Sequence, residues 1–331
     1  MKPNGDYWDE MWSPVTGCDG TLPCYERCWA RAMCRRYAKQ WKLDPKEPFK
    51  PAFHEDWLDK PLRVRKPTVF FCCGMGELFV RGIGLDNRLK VMERMLACPH
   101  HVFVLLTKRI DQAEVFFNAL LLESEIPKTN LVLGTSVSTQ MEWDKRVPVL
   151  CQIPAWRRVV SIEPMLGPIH TQIYQGKVAK LDPLRGWSAD YIGPDEDGRA
   201  MYDGGHETGR IHGIILGGES GPAARPLHPG WARSVRDQCE AAGVKFYFKQ
   251  WGEWGWSNFY SNDDSLRMDF LDRSSHRIIL PDGTEWDHML HGQPPPGTII
   301  VARVGKKAAG RLLDGREHND LCWQKKAGTT C

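Results

Sequence analysis

The sequence lacks any long apolar run and any apolar leader. No window approaches the ~18 consecutive apolar residues that a membrane-spanning helix needs. The first eight residues, which end at Trp8, contain no apolar region of the kind found in a secretory signal. We therefore expect a cytoplasmic protein without membrane contact, in a compartment where thiols stay reduced. The cysteine count, 11, is odd and argues against a framework of disulfides.

A strong charge of either sign is also missing. The 44 Lys and Arg residues and 41 Asp and Glu residues leave a net charge of +3. This balance permits nucleic acid as a partner without arguing for it. The basic, glycine-spaced segment Arg303–Arg316 lacks the Gly-Lys-Ser/Thr ending of a phosphate-binding loop, which argues against a P-loop NTPase.

A dense group of cysteines lies near the start of the chain. Cys18, Cys24 and Cys28 are separated by five and three residues in a polar turn, and Cys34 follows in a helix-like segment. Thiolates at this density can share one soft metal centre, because the short loops between them are nearly closed beforehand. Four thiolates complete a tetrahedral zinc site or a fully ligated cluster, whereas three on a four-iron cluster leave one iron open.

Other cysteines lie in apolar segments, where we expect small buried core residues: Cys72, Cys73, Cys98, Cys151 and Cys239. Core burial explains the first three cysteines poorly, because their surroundings are polar and rich in turn residues. Their spacing also matches no common zinc signature.

Short apolar segments alternate with helical segments over most of the chain, as expected for a parallel sheet covered on both faces. The predicted strands are Glu10–Thr16, Thr68–Cys73, His101–Leu106, Asn130–Gly134, Arg158–Ile162, Ile211–Leu216 and Val244–Phe248. The predicted fold class is α/β, a (β/α) TIM-like barrel with parallel strands, either closed or partial and open. A doubly wound open sheet is the alternative.

The predicted barrel covers residues 1–255. It contains the cysteine turn at 18–34 and an inserted loop or small subdomain at about 170–210. Residues 256–331 are predicted to form a C-terminal extension packed on the barrel. A helix is predicted at Pro229–Ala242, because proline opens its first turn and Gly243 follows its end.

Polar side chains follow the predicted strands, and in such folds functional groups gather at the carboxyl ends of the strands. These side chains are Glu77, Lys108, Ser136, Glu163, Glu219 and Lys249. Glycines at 74, 76, 217 and 218 would let the backbone approach a ligand closely. Burial at this edge would perturb the pKa values of the carboxylates.

A basic helix is predicted at Glu26–Gln40. Arg27, Arg31 and Arg35 recur at four-residue spacing on one face. This face is either solvated or binds a phosphate or carboxylate group of a substrate.

Several motifs together resemble a known family. They are Trp12-Ser-Pro-Val-Thr-Gly-Cys18, Leu105-Leu-Thr-Lys-Arg109, Gly134-Thr-Ser-Val137, Ser161-Ile-Glu-Pro-Met-Leu-Gly-Pro168, Gly217-Gly-Glu-Ser-Gly-Pro222, Arg225-Pro-Leu-His-Pro229, Phe248-Lys-Gln-Trp-Gly-Glu253 and the segment Val304–Arg316. With them the chain resembles the phage-associated three-Cys-motif proteins, a radical-SAM-like family of unknown function. The resemblance extends from about Trp8 to Arg316, with the insert at 170–210 as its main gap.

The resemblance implies a 4Fe–4S cluster on Cys18, Cys24 and Cys28, with S-adenosylmethionine chelating the open iron. It also implies cofactor-binding residues at successive strand ends: Gly76 and Glu77 near the amino group, Ser136 near the ribose, Gly217 and Gly218 near the adenine or methionine moiety, and Glu163 and Glu219 in the same set. The spacing departs from the usual three and two residues, and Arg27 replaces the usual aromatic residue. Cys34 could supply a fourth ligand, and this alternative stays open.

Three functions are compatible with these features. The first is a radical-SAM-like enzyme, served by an electron donor, that takes a hydrogen atom from a substrate such as a nucleic-acid base or nucleotide. The second is a non-enzymatic protein stapled by zinc on four cysteines, which binds nucleic acid or a partner protein. The third is a metal-free hydrolase that uses Glu163 and Glu219, but it leaves the cysteine turn unexplained.

Overall fold

The computed structural model describes residues 7–21, 23–123, 130–175, 179–256, 276–286 and 295–324. Two segments of the predicted C-terminal extension, 257–275 and 287–294, lie outside these ranges, as do residues 325–331. Among the described helices, none has the length and apolar character needed to cross a membrane.

The strands of the described residues follow the alternation predicted from the sequence. In chain order they are β1 (Glu10–Trp12), β2 (Val15–Thr16), β3 (Ala52–Phe53), β4 (Val69–Cys72), β5 (Val102–Thr107), β6 (Leu131–Val137), β7 (Arg157–Ile162), β8 (Ile173–Gln175), β9 (Ala179–Asp182), β10 (Trp187–Pro194), β11 (Ala200–Glu207), β12 (Gly213–Gly217), β13 (Lys245–Gln250), β14 (Trp254–Trp256), β15 (His276–Ile279) and β16 (Ile299–Arg303).

The helices separate these strands as expected. They are α1 (Trp29–Tyr37), α2 (Glu55–Leu58), α3 (Lys60–Arg63), α4 (Leu85–Leu96), α5 (Ile110–Glu123), α6 (Gln140–Gln152), α7 (Pro229–Ala242) and α8 (Lys306–Ala309). The bounds predicted for α7 are confirmed at both ends. The imidazole of His228 accepts the N–H of Gly230 at its start, and Gly243 ends it with a φ of 66°.

One seven-stranded sheet has the order β1-β4-β5-β6-β7-β12-β13. Along the chain, each of these seven described strands is added on the same side of the one before it, so the order of addition never reverses. A doubly wound sheet requires such a reversal, so that alternative is wrong. The chain is an open α/β protein, and closure into a TIM-like barrel stays a prediction.

The strand predicted at Glu10–Thr16 divides in two. β1 pairs in parallel with β4 in the large sheet, and β2 pairs antiparallel with β3. Pro14 lies between them and has no N–H to continue a ladder, which explains the break. The predicted basic helix is also shorter than expected, since Cys28 is still extended, with a ψ of 119°, and α1 begins after it.

The described chain divides into two compact units. The N-terminal unit comprises Asp6–Ser136 and Pro148–Val159, and the C-terminal unit comprises Val137–Val147 and Val160–Gln324. The C-terminal unit contains a four-stranded antiparallel sheet in the order β11-β10-β9-β8, where the sequence predicts an insert. It also contains the three-stranded sheet β14-β16-β15, built in part from the predicted C-terminal extension.

Aromatic side chains fill the core of the N-terminal unit beneath β1, β4 and β5. Phe103 is fully buried, and its ring centroid lies 5.7 Å from that of Phe70 and 5.5 Å from that of Trp12. The five cysteines predicted to be small core residues are all buried, which confirms that interpretation.

Replacing Phe103 should test this core directly. Phe103→Ala should lower the free energy of unfolding by about 3–5 kcal/mol, because the surrounding rings cannot close the cavity. Val115→Ala is the control: its side chain is 66% exposed, and the change should be within about 0.5 kcal/mol. Urea denaturation followed by tryptophan fluorescence measures both, and equal effects of the two variants would contradict the packing described.

Candidate functional site

Three cysteines occupy one loop of the N-terminal unit. Cys18 comes two residues after β2, Cys24 lies in a 3-10 turn at Pro23–Tyr25, and Cys28 is the residue that precedes α1. All three are half-buried. We refer to Cys18, Cys24 and Cys28 as the loop cysteines.

Gly17 clamps the start of this loop to the segment that follows β4. Its N–H donates to the carbonyl of Met75 and its carbonyl accepts the N–H of Glu77, both at 3.0 Å, as part of a parallel bridge to Gly76. Gly17 has a φ of 85°, and a Cβ there would lie 2.2 Å from the carbonyl oxygen of Lys50. Only glycine fits this position, so the sequence fixes the first loop cysteine beside two predicted cofactor-binding residues.

The Glu77 side chain joins the ends of β4 and β5. One carboxylate oxygen accepts the Thr107 hydroxyl at 2.7 Å and the Phe79 N–H at 3.2 Å, and the other accepts the Lys108 N–H at 3.0 Å. Burial raises the pKa of Glu77 above its usual range, although these hydrogen bonds and the charge of Arg109 act in the opposite direction. Its contacts within the chain make Glu77 a positioning residue for the two strand ends.

An ion pair that the sequence does not predict lies beside Cys18. The guanidinium of Arg109 donates to Oδ1 of Asp19 and to the hydroxyl of Thr21. Although burial would raise the pKa of Asp19, hydrogen bonds from Thr21 and the charge of Arg109 lower it. Within the described residues, Oδ2 of Asp19 and Nε of Arg109 are buried without a hydrogen-bond partner. One acceptor and one donor are therefore left for a ligand at this point.

The surroundings of Cys18 favour its neutral thiol over the thiolate. Burial raises its pKa, and the carboxylates of Glu77 and Asp19 raise it further, against a backbone hydrogen bond from Gly20 and the charge of Arg109. A metal ion that binds Cys18 therefore has to displace a proton, so affinity should increase with pH.

Cys34 differs from the loop cysteines. It is fully buried in α1, packs with Ala30 and Phe49, and its thiol donates to the carbonyl of Met75 at 3.7 Å. Burial raises its pKa to about 11, with a smaller contribution from Cys28. These contacts are those of a core thiol.

The third predicted cofactor residue of this unit, Ser136, lies near the end of β6 and is half-buried. In the sheet, β5 separates β6 from β4. The structure therefore brings Gly76 and Glu77 next to Cys18, while Ser136 follows two strands further along the sheet.

The C-terminal unit pairs one predicted carboxylate with a predicted lysine. Lys249 Nζ lies 2.8 Å from Glu163 Oε1, and the hydroxyl of Ser161 donates to the other oxygen of Glu163 at 3.0 Å. A Cβ at Gly217 would lie 3.2 Å from Glu163. The structure thus brings Glu163, Lys249 and Gly217 together.

Gly218 and Glu219, in the same unit, both make close contacts within the protein. A Cβ at Gly218 would lie 1.8 Å from the carbonyl oxygen of Trp251, so close backbone approach accounts for this glycine. Arg225 donates to both oxygens of Glu219, from Nε at 2.8 Å and Nη2 at 2.9 Å. With Glu163 and Glu219 each paired to a cation, the arrangement does not favour the hydrolase interpretation.

The loop cysteines do not already converge. Within the residues that the structure describes, no group of three or more His, Cys, Asp and Glu side chains lies close enough together to hold a metal ion. Binding one group on all three thiols would therefore require the loop to gather them.

The buried carboxylate gives a prediction with a pH signature. Glu77→Gln replaces an acceptor oxygen with a donor, so at least one of three N–H or O–H groups loses its acceptor. The free energy of unfolding should fall by about 1–3 kcal/mol in urea denaturation. Because the folded-state pKa is raised, Glu77 contributes stability at low pH that is lost as pH rises through that pKa. The difference from wild type should therefore be larger at pH ~4 than at pH ~7.

The control for this variant is Glu93→Gln, since Glu93 is exposed on α4. It should change the free energy of unfolding by no more than about 0.5 kcal/mol. A Glu77→Gln effect that stays constant between the two pH values would contradict the raised pKa.

Comparison with known proteins gives a family without an assigned activity. No curated protein and no solved structure matches the chain. A family described as a protein of unknown function (DUF5131) matches residues 4–322. The match covers nearly the whole sequence, and the chain belongs to this family.

Proposed function

We propose that the protein is a radical-SAM-like iron–sulfur enzyme of the phage-associated three-Cys type. The loop cysteines would hold a 4Fe–4S cluster with one iron left for S-adenosylmethionine. The observation that carries the proposal is the backbone clamp at Gly17. It fixes Cys18 against Gly76 and Glu77, the residues expected to meet the amino group of the cofactor.

The chemistry of the donor set fits such a cluster. Three half-buried thiols on a short loop suit a soft iron–sulfur group. Cys28 lies directly before the first residue of α1, so the helix holds the backbone of the third loop cysteine. The Cys34 thiol is buried in the core and donates to the carbonyl of Met75, which supports three ligands rather than four.

When bound, the cluster and S-adenosylmethionine would supply a 5′-deoxyadenosyl radical able to take a hydrogen atom from a substrate, here a nucleic-acid base or nucleotide. The protein's own groups would position the reactants. Gly76 lets the loop backbone approach closely, because a Cβ there would lie 2.6 Å from the carbonyl carbon of Thr16. Glu77 holds two strand ends in place. The unpaired Oδ2 of Asp19 and Nε of Arg109 would bind polar groups of the ligand.

The same proposal includes closure of the sheet into a TIM-like barrel and an electron donor as a partner in the cytoplasm of the host cell. It also includes the later cofactor contacts, at Ser136, Glu163, Gly217, Gly218 and Glu219. Opening of the Glu163–Lys249 and Glu219–Arg225 ion pairs would be needed before either carboxylate could contact the cofactor.

The test is anaerobic purification followed by iron, sulfide and zinc analysis and EPR spectroscopy. We expect about four irons per chain, an EPR signal that shifts when S-adenosylmethionine is added, and 5′-deoxyadenosine when a reductant is supplied. Cys18→Ala, Cys24→Ala and Cys28→Ala should each lose most of the iron. Cys322→Ala is the matched control, because Cys322 is also half-buried but lies outside the loop. Failure to build any cluster during reconstitution would contradict the proposal.

A second candidate is a zinc-stapled binding protein. The proximity of Cys28 and Cys34, evident in the effect of Cys28 on the pKa of Cys34, favours it. Four thiolates would then close a structural zinc site without an open position. One zinc per chain that is lost in Cys34→Ala would support this candidate, whereas Cys34→Ala with full iron content would support the three-cysteine cluster.

A further inference from the structure

A capping turn follows α1. A helical turn continues beyond α1. The N–H of Leu43 donates to the carbonyl of Ala38 at 2.9 Å, and the N–H of Lys42 donates to the carbonyl of Lys39 at 3.3 Å. This pair of hydrogen bonds is a Schellman motif, in which glycine usually occupies the position of positive φ. Here that position is Lys42, with a φ of 53°. A lysine side chain is thus present where helix termination alone would favour glycine.

A basic cleft of the N-terminal unit lies at this turn. Its volume is about 720 Å³. The residues that line it are Arg35, Arg36, Ala38, Lys39, Lys42, Leu43, Pro45, Lys46 and Pro48. Five of the nine are cationic and none is acidic. We refer to these five cationic residues as the cleft cations.

The carboxylates closest in sequence to the cleft cations bind other groups of the chain. Asp44 accepts the backbone N–H groups of Lys46 and Glu47, and Glu47 pairs with Lys50 at 3.5 Å. Over the ranges that the structure covers, none of the cleft cations forms an ion pair with a carboxylate. Their charges are therefore left for a ligand.

This concentration of charge is exceptional within the chain. Residues 27–46 contain seven Arg and Lys and one Asp, a net charge of +6 in 20 residues. Because the whole chain carries +3, the other 311 residues sum to −3. A local field of this kind attracts a polyanion even though the protein as a whole is nearly neutral.

We infer that the cleft binds the phosphate backbone of a single-stranded nucleic acid. Aromatic rings at the end of α1 and in the turn after it provide the second element of such sites. Tyr37 and Trp41 are half-buried and stack with ring centroids 5.2 Å apart, with Arg36 over the Tyr37 ring. A cationic groove with adjacent aromatic rings is typical of proteins that bind single strands. This binding site does not rest on the iron–sulfur proposal.

The test is fluorescence anisotropy with a fluorescein-labelled 20-nucleotide oligothymidylate and the full chain, both metal-free and reconstituted. Binding is expected in both forms. If all cleft cations contact phosphates, the slope of log K against log salt should be about −3.5, a loss of about a hundredfold between ~50 and ~200 mM salt. No binding at ~50 mM salt in either form would overturn the inference and leave the cluster proposal untouched.

Two double variants locate the site. Lys39→Gln with Lys42→Gln should weaken binding about tenfold at ~50 mM salt and reduce the slope to about −2. The matched control is Lys306→Gln with Lys307→Gln, two exposed lysines of another helix, and it should leave binding unchanged. Equal weakening by both pairs would mean nonspecific attraction and would contradict the cleft.

Lys42→Gly separates binding from folding. Glycine relieves the positive φ, so the thermal midpoint should rise while binding weakens by about threefold. A variant that binds as tightly as wild type would show that Lys42 does not contact the strand.

Vesicles with anionic lipid are the competing ligand. Displacement of the oligonucleotide by such vesicles at equal charge concentration would assign the cleft to a membrane surface instead.

Discussion

The backbone clamp at Gly17 is the constraint on which the site depends. It ties the loop that carries three cysteines to the segment after β4 through two hydrogen bonds and a parallel bridge. Side-chain contacts alone would let such a loop move, because loops have few buried partners. The clamp needs glycine at position 17 for its positive φ and for the close approach of Lys50. The first cysteine is therefore positioned by the backbone of the segment that follows β4.

A buried carboxylate, Glu77, and a half-buried ion pair, Asp19 with Arg109, lie beside this clamp, and their hydrogen bonds are satisfied differently. Glu77 accepts three hydrogen bonds and serves mainly to join β4 and β5. Asp19 and Arg109 neutralise each other but leave one acceptor and one donor without partners. A buried polar atom gains free energy when it finds a hydrogen-bond partner, so a polar ligand would bind favourably at these two atoms. This difference makes the Asp19–Arg109 pair the stronger candidate for ligand contact.

The sequence was sufficient for the strands of the large sheet and for α7, because buried parallel strands are continuous apolar runs and α7 has clear end signals. It also indicated that Gly76 and Glu77 belong near the cysteines. It did not reveal the Asp19–Arg109 pair, whose members are 90 residues apart and meet only through the sheet. The break at Pro14 and the lysine at a glycine position were likewise missed, because both depend on pairing and turn geometry rather than on hydrophobic periodicity.

Helix α1 connects the two candidate sites. Its nine residues extend for about 14 Å, with Cys28 before its first residue and the basic cleft beyond its last. Ala30 and Cys34 fix the helix by packing against Leu43, Phe49 and Met75, and Met75 also accepts the hydrogen bond from Gly17. One small apolar cluster therefore sets the position of the cysteine loop and of the cationic cleft together. A nucleic acid strand held in the cleft would lie about one short helix away from the loop cysteines, a distance that only a few nucleotides need to span.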